Sequence, residues 1–472
     1  MTHQPRSRQF KENVLEALAN ANIQTAMKST GSHFVDKRAA AKDKLPEFDA
    51  LRDAARDMKN HTLAHLDLYL ERYEAKVRES GGQVHWAASA EDARRIVLDI
   101  CRRVDARAVN KGKTMISEEI GLNDFLAENG VVPVETDLGE YIVQLRGETP
   151  SHIIAPAVHV TVPEIDHLFR EHHGHLPKDR DLSDLANMLA EARAVLRAKY
   201  FEAEVGITGA NMLVAETGQS VIVTNEGNGD LSQSLPKVHI VLASLEKIVP
   251  TLEDAGTVLR LLARSATGQE MSVYTTFSRG PRREGDPDGP EEYHVVLLDN
   301  GRSDMLGTEF EEMLRCIRCG ACMNHCPVYQ SVGGHAYGWV YPGPMGAVLT
   351  PSLIGVEEGG QLPNASTFCG RCEQVCPMRI PLPKMMRHWR EREFEKKLQP
   401  AAARYGLGVW AWFAARPRLY RLAARLGAGA LGRMAGRRGR LASLPLAGGW
   451  TRSRDFPAPE GRTFMDQWKA RA

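Results

Sequence analysis

Apolar residues recur at intervals of three and four from Phe10 to about Ser80, in ENVLEALANANIQTAM and again in FDALRDAARDMKNHTLAHLDLYLERYEAKVRES. That period predicts helix up to the breaker Gly81-Gly82. Beyond it, apolar β-rich segments (GQVHWAAS, VVPVETD, YIVQLRG, SHIIAPAV, SVIVTNEG, KVHIVLASL) alternate with helical ones (EDARRIVLDICRRV, SEEIGLNDFLAENG, DLANMLAEARAVLRAKYFEAE). Strands interleaved with helices need crossover connections, so an α/β domain built on a largely parallel sheet is expected. SRGPRREGDPDGPEEY at 278–293 is charged and rich in Gly and Pro, which predicts an exposed loop, and HVVLLDNGRS predicts a last strand and its turn. A long Gly- and Pro-bearing insert runs from Pro327 to Phe368, and after Pro383 the segment KMMRHWREREFEKKL predicts a helix. The pattern divides the chain into an N-terminal helical segment (1–70), the α/β domain (71–297), a cysteine-rich helical domain (305–395) and a basic, partly helical C-terminal region (396–472).

At 472 residues the chain is too long for one core, in keeping with that division. Its 60 basic residues nearly cancel its 59 acidic ones, which removes any global electrostatic case for binding nucleic acid. The exception is local. Arg404, Arg416, Arg418, Arg421, Arg425, Arg433, Arg437, Arg438 and Arg440 lie among Trp410, Trp412, Phe413, Leu419, Tyr420 and Leu426. This basic amphipathic pattern suits an anionic membrane surface or an acidic partner, or a solvated face packed on the neighbouring domain. The N-terminal stretch lacks the apolar core of a signal peptide, and no apolar run is long enough to span a bilayer, so a cytoplasmic address is expected.

In a reducing compartment, cysteines crowded together are read as metal ligands rather than disulfides. Seven of the eight fall between Cys316 and Cys376, and Cys101 stands apart, expected to pack in a helix. Cys316, Cys319, Cys322 and Cys326, followed by Pro327, make C-x2-C-x2-C-x3-C-P, the spacing of two-cluster ferredoxins. Cys369, Cys372 and Cys376, followed by Pro377, repeat its last three cysteines and proline. Crossed ligation assigns Cys316, Cys319, Cys322 and Cys376 to one cluster and Cys326, Cys369 and Cys372 to another. Where a complete second motif would carry its first cysteine, the sequence has Ser366. Two [4Fe-4S] clusters are therefore expected, the second with Ser366, another oxygen or an external group as fourth ligand, or else built as [3Fe-4S]. Zinc would leave both C-x3-C-P endings and the odd cysteine count unexplained.

With these motifs the whole chain resembles the lactate utilization protein B family, the iron–sulfur proteins of a three-part bacterial L-lactate oxidation system. The resemblance rests also on KTMISEEIGLNDFL (113–126), GITGANMLVAETGQSVIVTNEGN (206–228) and RDFPAPEGRTFMDQW (454–468). It implies L-lactate oxidation to pyruvate, with this chain passing electrons, two partner subunits and an electron acceptor completing the system, and an α/β domain of the LUD type, similar to NagB/RpiA and coenzyme A transferase-like folds. The same role for another 2-hydroxy acid such as glycolate, or a redox and metabolite sensor, are the alternatives.

No G-x-G-x-x-G or G-x4-G-K-[ST] motif marks a flavin or nucleotide site, so an electron-transfer component rather than a complete catalyst is expected. GITGANMLVAETGQSVIVTNEGN reads as two short strands joined at Thr217-Gly218. Asn211, Glu216, Asn225, Glu226 and Asn228, with Ser117, Glu118 and Glu119, are candidates for a pocket at strand ends; turn chemistry and helix capping by Ser117 are the other reading. His152, His159, His167, His172, His173 and His175 are read as scattered surface residues, with metal ligation the alternative.

Overall fold

A computed structural model describes residues 5–444, 447–451 and 454–471, apart from the side chains of 29–32. Residues 1–4 of the N-terminal segment and 445–446, 452–453 and 472 of the basic region lie outside the described residues. The chain divides into two compact units, 1–392 and 393–472.

The first unit is organised by a six-stranded sheet in the order β1 (Gln83–Ala87), β10 (Glu292–Leu298), β7 (Val238–Ser244), β4 (Val205–Thr208), β2 (Ala108–Gly112) and β3 (Val132–Glu135). Every neighbouring pair is parallel. Successive side chains point to opposite faces of a strand, and both faces are covered here, so the central strands carry apolar residues on both sides. On one face Val109, Ile207, Ile240 and Val296 pack against Val97, Cys101 and Leu126; on the other, Val241, Val295 and Leu297 pack against Leu70, Tyr73 and Val77. Cys101 is fully buried in the helix Ala90–Arg103, whose start is fixed by a capping box between Ser89 and Asp92. A second, four-stranded sheet, β8 (Ile248–Val249), β5 (Met212–Val214), β6 (Gln219–Thr224) and β9 (Tyr274–Ser278), contains the expected antiparallel pair β5–β6, turned at Gly218 with φ +72°.

Two expected strands are absent. YIVQLRG lies mostly in the helix Leu138–Leu145: Asp137 accepts the N–H groups of Gly139 and Glu140, and Tyr141, Ile142 and Val143 are buried on it. SHIIAPAV is irregular, because the Nδ1 atom of His152 accepts the amides of Ile154 and Ala155 and so takes the donors a strand ladder would use.

The N-terminal helices, Phe10–Ala19, Ala21–Asp43, Phe48–Ala64 and Leu66–Glu79, are shorter than one continuous run. Phe10, Met27, Phe48 and Ala55 join the same core as the cysteine-rich region. The insert 327–368 belongs to that core as well. Its helix Gly343–Ile354 is buried on every face through Pro351, which removes the polar stripe that marks a surface helix.

In the second unit the helices Ala401–Ala414 and Pro417–Ala435 expose most of their residues, including Tyr405, Trp410 and Trp412. A two-residue antiparallel pairing of Arg440–Leu441 with Phe456–Pro457 and a helix Phe464–Lys469 follow, and Arg425 Nε donates to Asp466 Oδ1 at 2.8 Å. Among the described residues, no helix is long and apolar enough to cross a membrane.

Candidate functional site

Each cysteine motif folds as a tight turn followed by a short helix, and the two turns share backbone geometry. Arg318, before Cys319, and Phe368, before Cys369, both adopt positive φ (58° and 54°). Gly320 and Gly370, which follow those cysteines, are left-handed at φ +73° and +77° and open the helices Ala321–Asn324 and Arg371–Val375. Left-handed backbone favours glycine there. The Arg318 N–H donates to Cys316 Sγ at 3.4 Å, and the Phe368 N–H donates to Ser366 Oγ at 3.1 Å. Ser366 thus stands in the second turn where Cys316 stands in the first.

The two turns enclose two cavities. Cys316, Cys319, Cys322 and Cys376 line one, with about 380 Å³ of empty space, walled by Ile317, Met345 and Leu382. Cys326, Cys369, Cys372 and Ser366 line the other, with about 430 Å³. Each therefore takes side chains from both motifs. Burial pushes the Cys319 and Cys372 thiols up to about 12, and the cysteine that adds most is Cys376 for the former and Cys326 for the latter. Burial pushes Cys376 up to about 11 and Cys322 well above the ordinary range. So many buried thiols could be held together as thiolates only around a cation, which fits an iron–sulfur group. Cys369 is exposed, so the second cavity reaches the surface of this unit.

A larger cavity, with about 1190 Å³ of empty space, lies where β2, β4 and β7 end. Carboxyl ends of parallel strands are the usual ligand side of such sheets. Lys113 and Thr114 come from the turn after β2, Gly209 and Ala210 from the turn after β4, and Lys247 from just beyond β7. A Cβ on Gly209 would stand 2.4 Å from the Lys113 carbonyl oxygen, so glycine is needed for these two turns to meet. Asn211, Asn225 and Glu226 line this cavity as expected. The other candidates do not. Glu216 accepts the Leu252 N–H at the start of a helix, and the Asn228 side chain is buried without a hydrogen-bond partner. Ser117 and Glu118 accept from Lys111 Nζ at 2.6 and 2.9 Å, and Thr114 rather than Ser117 caps the helix. Burial alone would raise the Glu119 carboxyl, but Arg302 at 2.6 Å, Tyr341 and Asn300 hold it low.

The histidines do not form one cluster, and His152, His159 and His173 are buried rather than on the surface as expected. His152 bonds Asn324, His173 bonds Glu191 and Tyr141, and His167, His172 and His175 are exposed. His159 meets Glu148 at 2.8 Å and, with His335, forms the one group of three His, Cys, Asp or Glu side chains among the described residues with ligand atoms within 4.8 Å of one another. His159 Nδ1 already bonds Ser151 and His335 Nε2 the Thr149 carbonyl, so this group is satisfied without an ion.

Three family descriptions match successive parts of the chain: the LUD domain over residues 70–298, the 4Fe-4S dicluster domain over 312–380 and the C-terminal domain of lactate utilisation protein B over 378–472. Lactate utilization protein B of Bacillus licheniformis is 39% identical over 98% of this chain and 97% of its own length. Those of Bacillus pumilus and Bacillus cytotoxicus are 40% identical over the same shares. The chain belongs to the lactate utilization protein B family.

In this member of the lactate utilization protein B family, the first cysteine cavity and the large cavity share a wall. Ile153 and Arg318 line both. Arg318 Nη2 meets Glu246 Oε1 at 3.1 Å, and its guanidinium lies 5.1 Å from the Tyr341 ring. Burial and the neighbouring Arg318 push Lys247 down to about 8, while Glu246 and Cys316 pull it back. Sequence reasoning passed over Arg318 and Lys247. The signals were a cation inside a cysteine motif and a lysine just past an apolar strand, where ligands of parallel sheets gather.

Proposed function

We propose that this chain is the iron–sulfur electron-transfer subunit of a multiprotein system that oxidises L-lactate to pyruvate. The observation that carries the reading is the pair of cysteine-lined cavities, each drawing side chains from both motifs. In this reading Cys316, Cys319, Cys322 and Cys376 hold one [4Fe-4S] cluster, and Cys326, Cys369 and Cys372 hold a second, with Ser366 as its fourth ligand. When bound, such clusters supply one-electron carriers. The chain's own residues exclude water from the inner site through Ile317, Met345 and Leu382, and present the outer one at Cys369 for exchange with a partner.

Supporting the lactate assignment is the name of its relatives, lactate utilization protein B, which speaks for lactate rather than glycolate or a sensing role. Two further subunits and an electron acceptor complete the proposed system. The domain boundaries proposed are those of the sequence pattern, with a NagB/RpiA-like α/β domain at 71–297. The proposed location is the cytoplasm, with peripheral membrane contact through the basic region, where exposed Trp410 and Trp412 stand among arginines. The test is anaerobic purification with the products of neighbouring genes, followed by assay of L-lactate oxidation with an artificial acceptor. Activity that persists when Cys319→Ala removes an inner ligand would exclude the role.

A further inference from the structure

The large cavity beside the first cysteine site has a cationic floor whose hydrogen-bonding capacity is partly unused. Lys247 is 8% exposed and lines the cavity, yet its ammonium makes no hydrogen bond or ion pair among the described residues. An ammonium offers three donors, and a charge held away from bulk water without partners is unfavourable. Arg318 gives one nitrogen to Glu246, but its Nη1 atom is buried with no hydrogen-bond partner. Glu246 cannot satisfy both cations, because its carboxylate already faces Arg302 and Arg318. The mouth of the cavity is polar, with exposed Asn225 and Glu226, and its inner wall is apolar, with Leu242, Leu262 and Ile153. Asn211 fixes its Oδ1 on the Val223 N–H at 2.9 Å, which leaves its amide N–H groups to the cavity.

We propose that this cavity binds a small 2-hydroxy- or 2-oxocarboxylate, its carboxylate on Lys247 and Arg318, its 2-oxygen near Asn211 and its short apolar end against Ile153. The carboxylate satisfies the unpartnered Lys247 ammonium and the free Nη1 of Arg318, and the cavity is too apolar on its inner wall for a fully hydrated inorganic anion to be the better occupant. The choice of ligand class rests on the lactate reading, whereas the presence of an anion site rests on the unpartnered Lys247 ammonium beside the free Nη1 of Arg318. Because Arg318 and Ile153 also line the cysteine cavity, a bound anion stands one side chain away from the inner site. Added negative charge there disfavours an added electron, and by linkage the reduced protein holds the anion more weakly.

The test uses the intact, cluster-loaded chain under anaerobic conditions. L-lactate, pyruvate, acetate and chloride are titrated at constant ionic strength by calorimetry, and the cluster potentials are measured with and without each. L-lactate or pyruvate is expected to bind saturably and at least tenfold more tightly than acetate. Lys247→Met, an apolar replacement of similar length, should weaken that binding tenfold or more while the two EPR signals persist. If the reduced protein binds tenfold more weakly, the inner potential falls by about 59 mV on saturation. No saturable binding to the unaltered protein would show that Lys247 and Arg318 serve only to balance charge on the inner site, and would overturn the proposal. Equal affinity for acetate would overturn the ligand class. Neither result touches the electron-transfer reading, which is tested by reduction of the clusters with a low-potential donor.

Discussion

Arg52 donates to the carbonyl oxygen of Cys376 through Nη2 at 2.7 Å and through Nε at 3.0 Å. Its Nη2 also reaches the Gln374 carbonyl at 2.8 Å, and Arg38 takes the carbonyl between them, Val375, at 2.7 Å. Helices near the N-terminus thus hold three successive carbonyls of the turn that brings Cys376 into a cavity otherwise lined by cysteines of the first motif. Arg52→Met should strand the Gln374 carbonyl, at about 1–3 kcal/mol, and leave the Cys376 carbonyl only the Arg379 N–H at 3.3 Å. The expected outcome is a lower urea midpoint and preferential loss of the inner cluster's EPR signal. An unchanged ratio of the two signals would show that the clamp does not position Cys376.

Ser366 tests the outer site. If its oxygen is the fourth ligand, Ser366→Ala should convert the outer cluster's EPR signal towards a three-iron species or shift its potential, and spectra identical to wild type would exclude serine ligation. Ser366→Cys should be tolerated, because the equivalent turn position already accommodates Cys316 with the same backbone N–H bond.

Iron analysis decides between cluster types. Two [4Fe-4S] clusters give about eight irons per anaerobically prepared chain, and a [3Fe-4S] outer site gives about seven. A colourless protein with two zincs would sink the iron–sulfur reading, since zinc thiolate sites lack the visible charge-transfer bands of iron clusters.

The parallel sheet was legible because β7 and β10 are continuous apolar runs, KVHIVLASL and HVVLL, flanked by turn residues. β2, with the sequence AVNKG, was not, since Asn110 and Lys111 are polar yet buried, Lys111 being held by Glu118 and Glu135. Local periodicity carries no sign of such pairs. The helix Leu138–Leu145 was misread because Tyr, Ile and Val favour strands, and only the Asp137 cap and the spacing of Leu138, Tyr141, Ile142 and Leu145 speak for helix. Spacing within each cysteine motif anticipated which side chains share a cavity. The cations Arg38, Arg52 and Lys247 arrive from distant segments, and nothing local marks them.

Buried neutral histidine should make stability depend on pH. Burial, then the neighbouring His294, pushes His239 down to about 3, and its Nε2 bonds Thr208 Oγ1 at 2.8 Å. Its folded pKa lies below the ordinary unfolded value of about 6.5, so the unfolded chain binds a proton that the folded one refuses. This contribution is fully present above that value and is lost as pH falls towards 3, at about 1.4 kcal/mol per pH unit. Urea denaturation at pH 7.5, 6 and 5 should show a decline that His239→Gln makes shallower by about one proton. Parallel profiles for the two proteins would refute it.

The division of labour gives the last prediction. The chain presents two cysteine sites suited to one-electron carriers, whereas oxidation of lactate releases two electrons together with protons, and no flavin or nucleotide motif accompanies them. The nearest carboxylates to the proposed anion site are already committed: Glu246 to Arg302 and Arg318, Glu226 to Lys113, and Glu140 to the Lys113 N–H, with burial pushing the Glu140 carboxyl well above its usual range. None stands ready as an ionised base of ordinary strength. The purified chain should therefore bleach on addition of dithionite but not of L-lactate, even where lactate binds. Supplying the partner subunits should restore bleaching by lactate, and Cys376→Ala, which removes a proposed inner ligand, should abolish it. The decisive measurement is anaerobic stopped-flow absorbance of the isolated chain mixed with L-lactate. Bleaching at a catalytic rate without any partner would transfer the oxidation to this chain and make Glu140, on the wall of the large cavity, the first residue to replace.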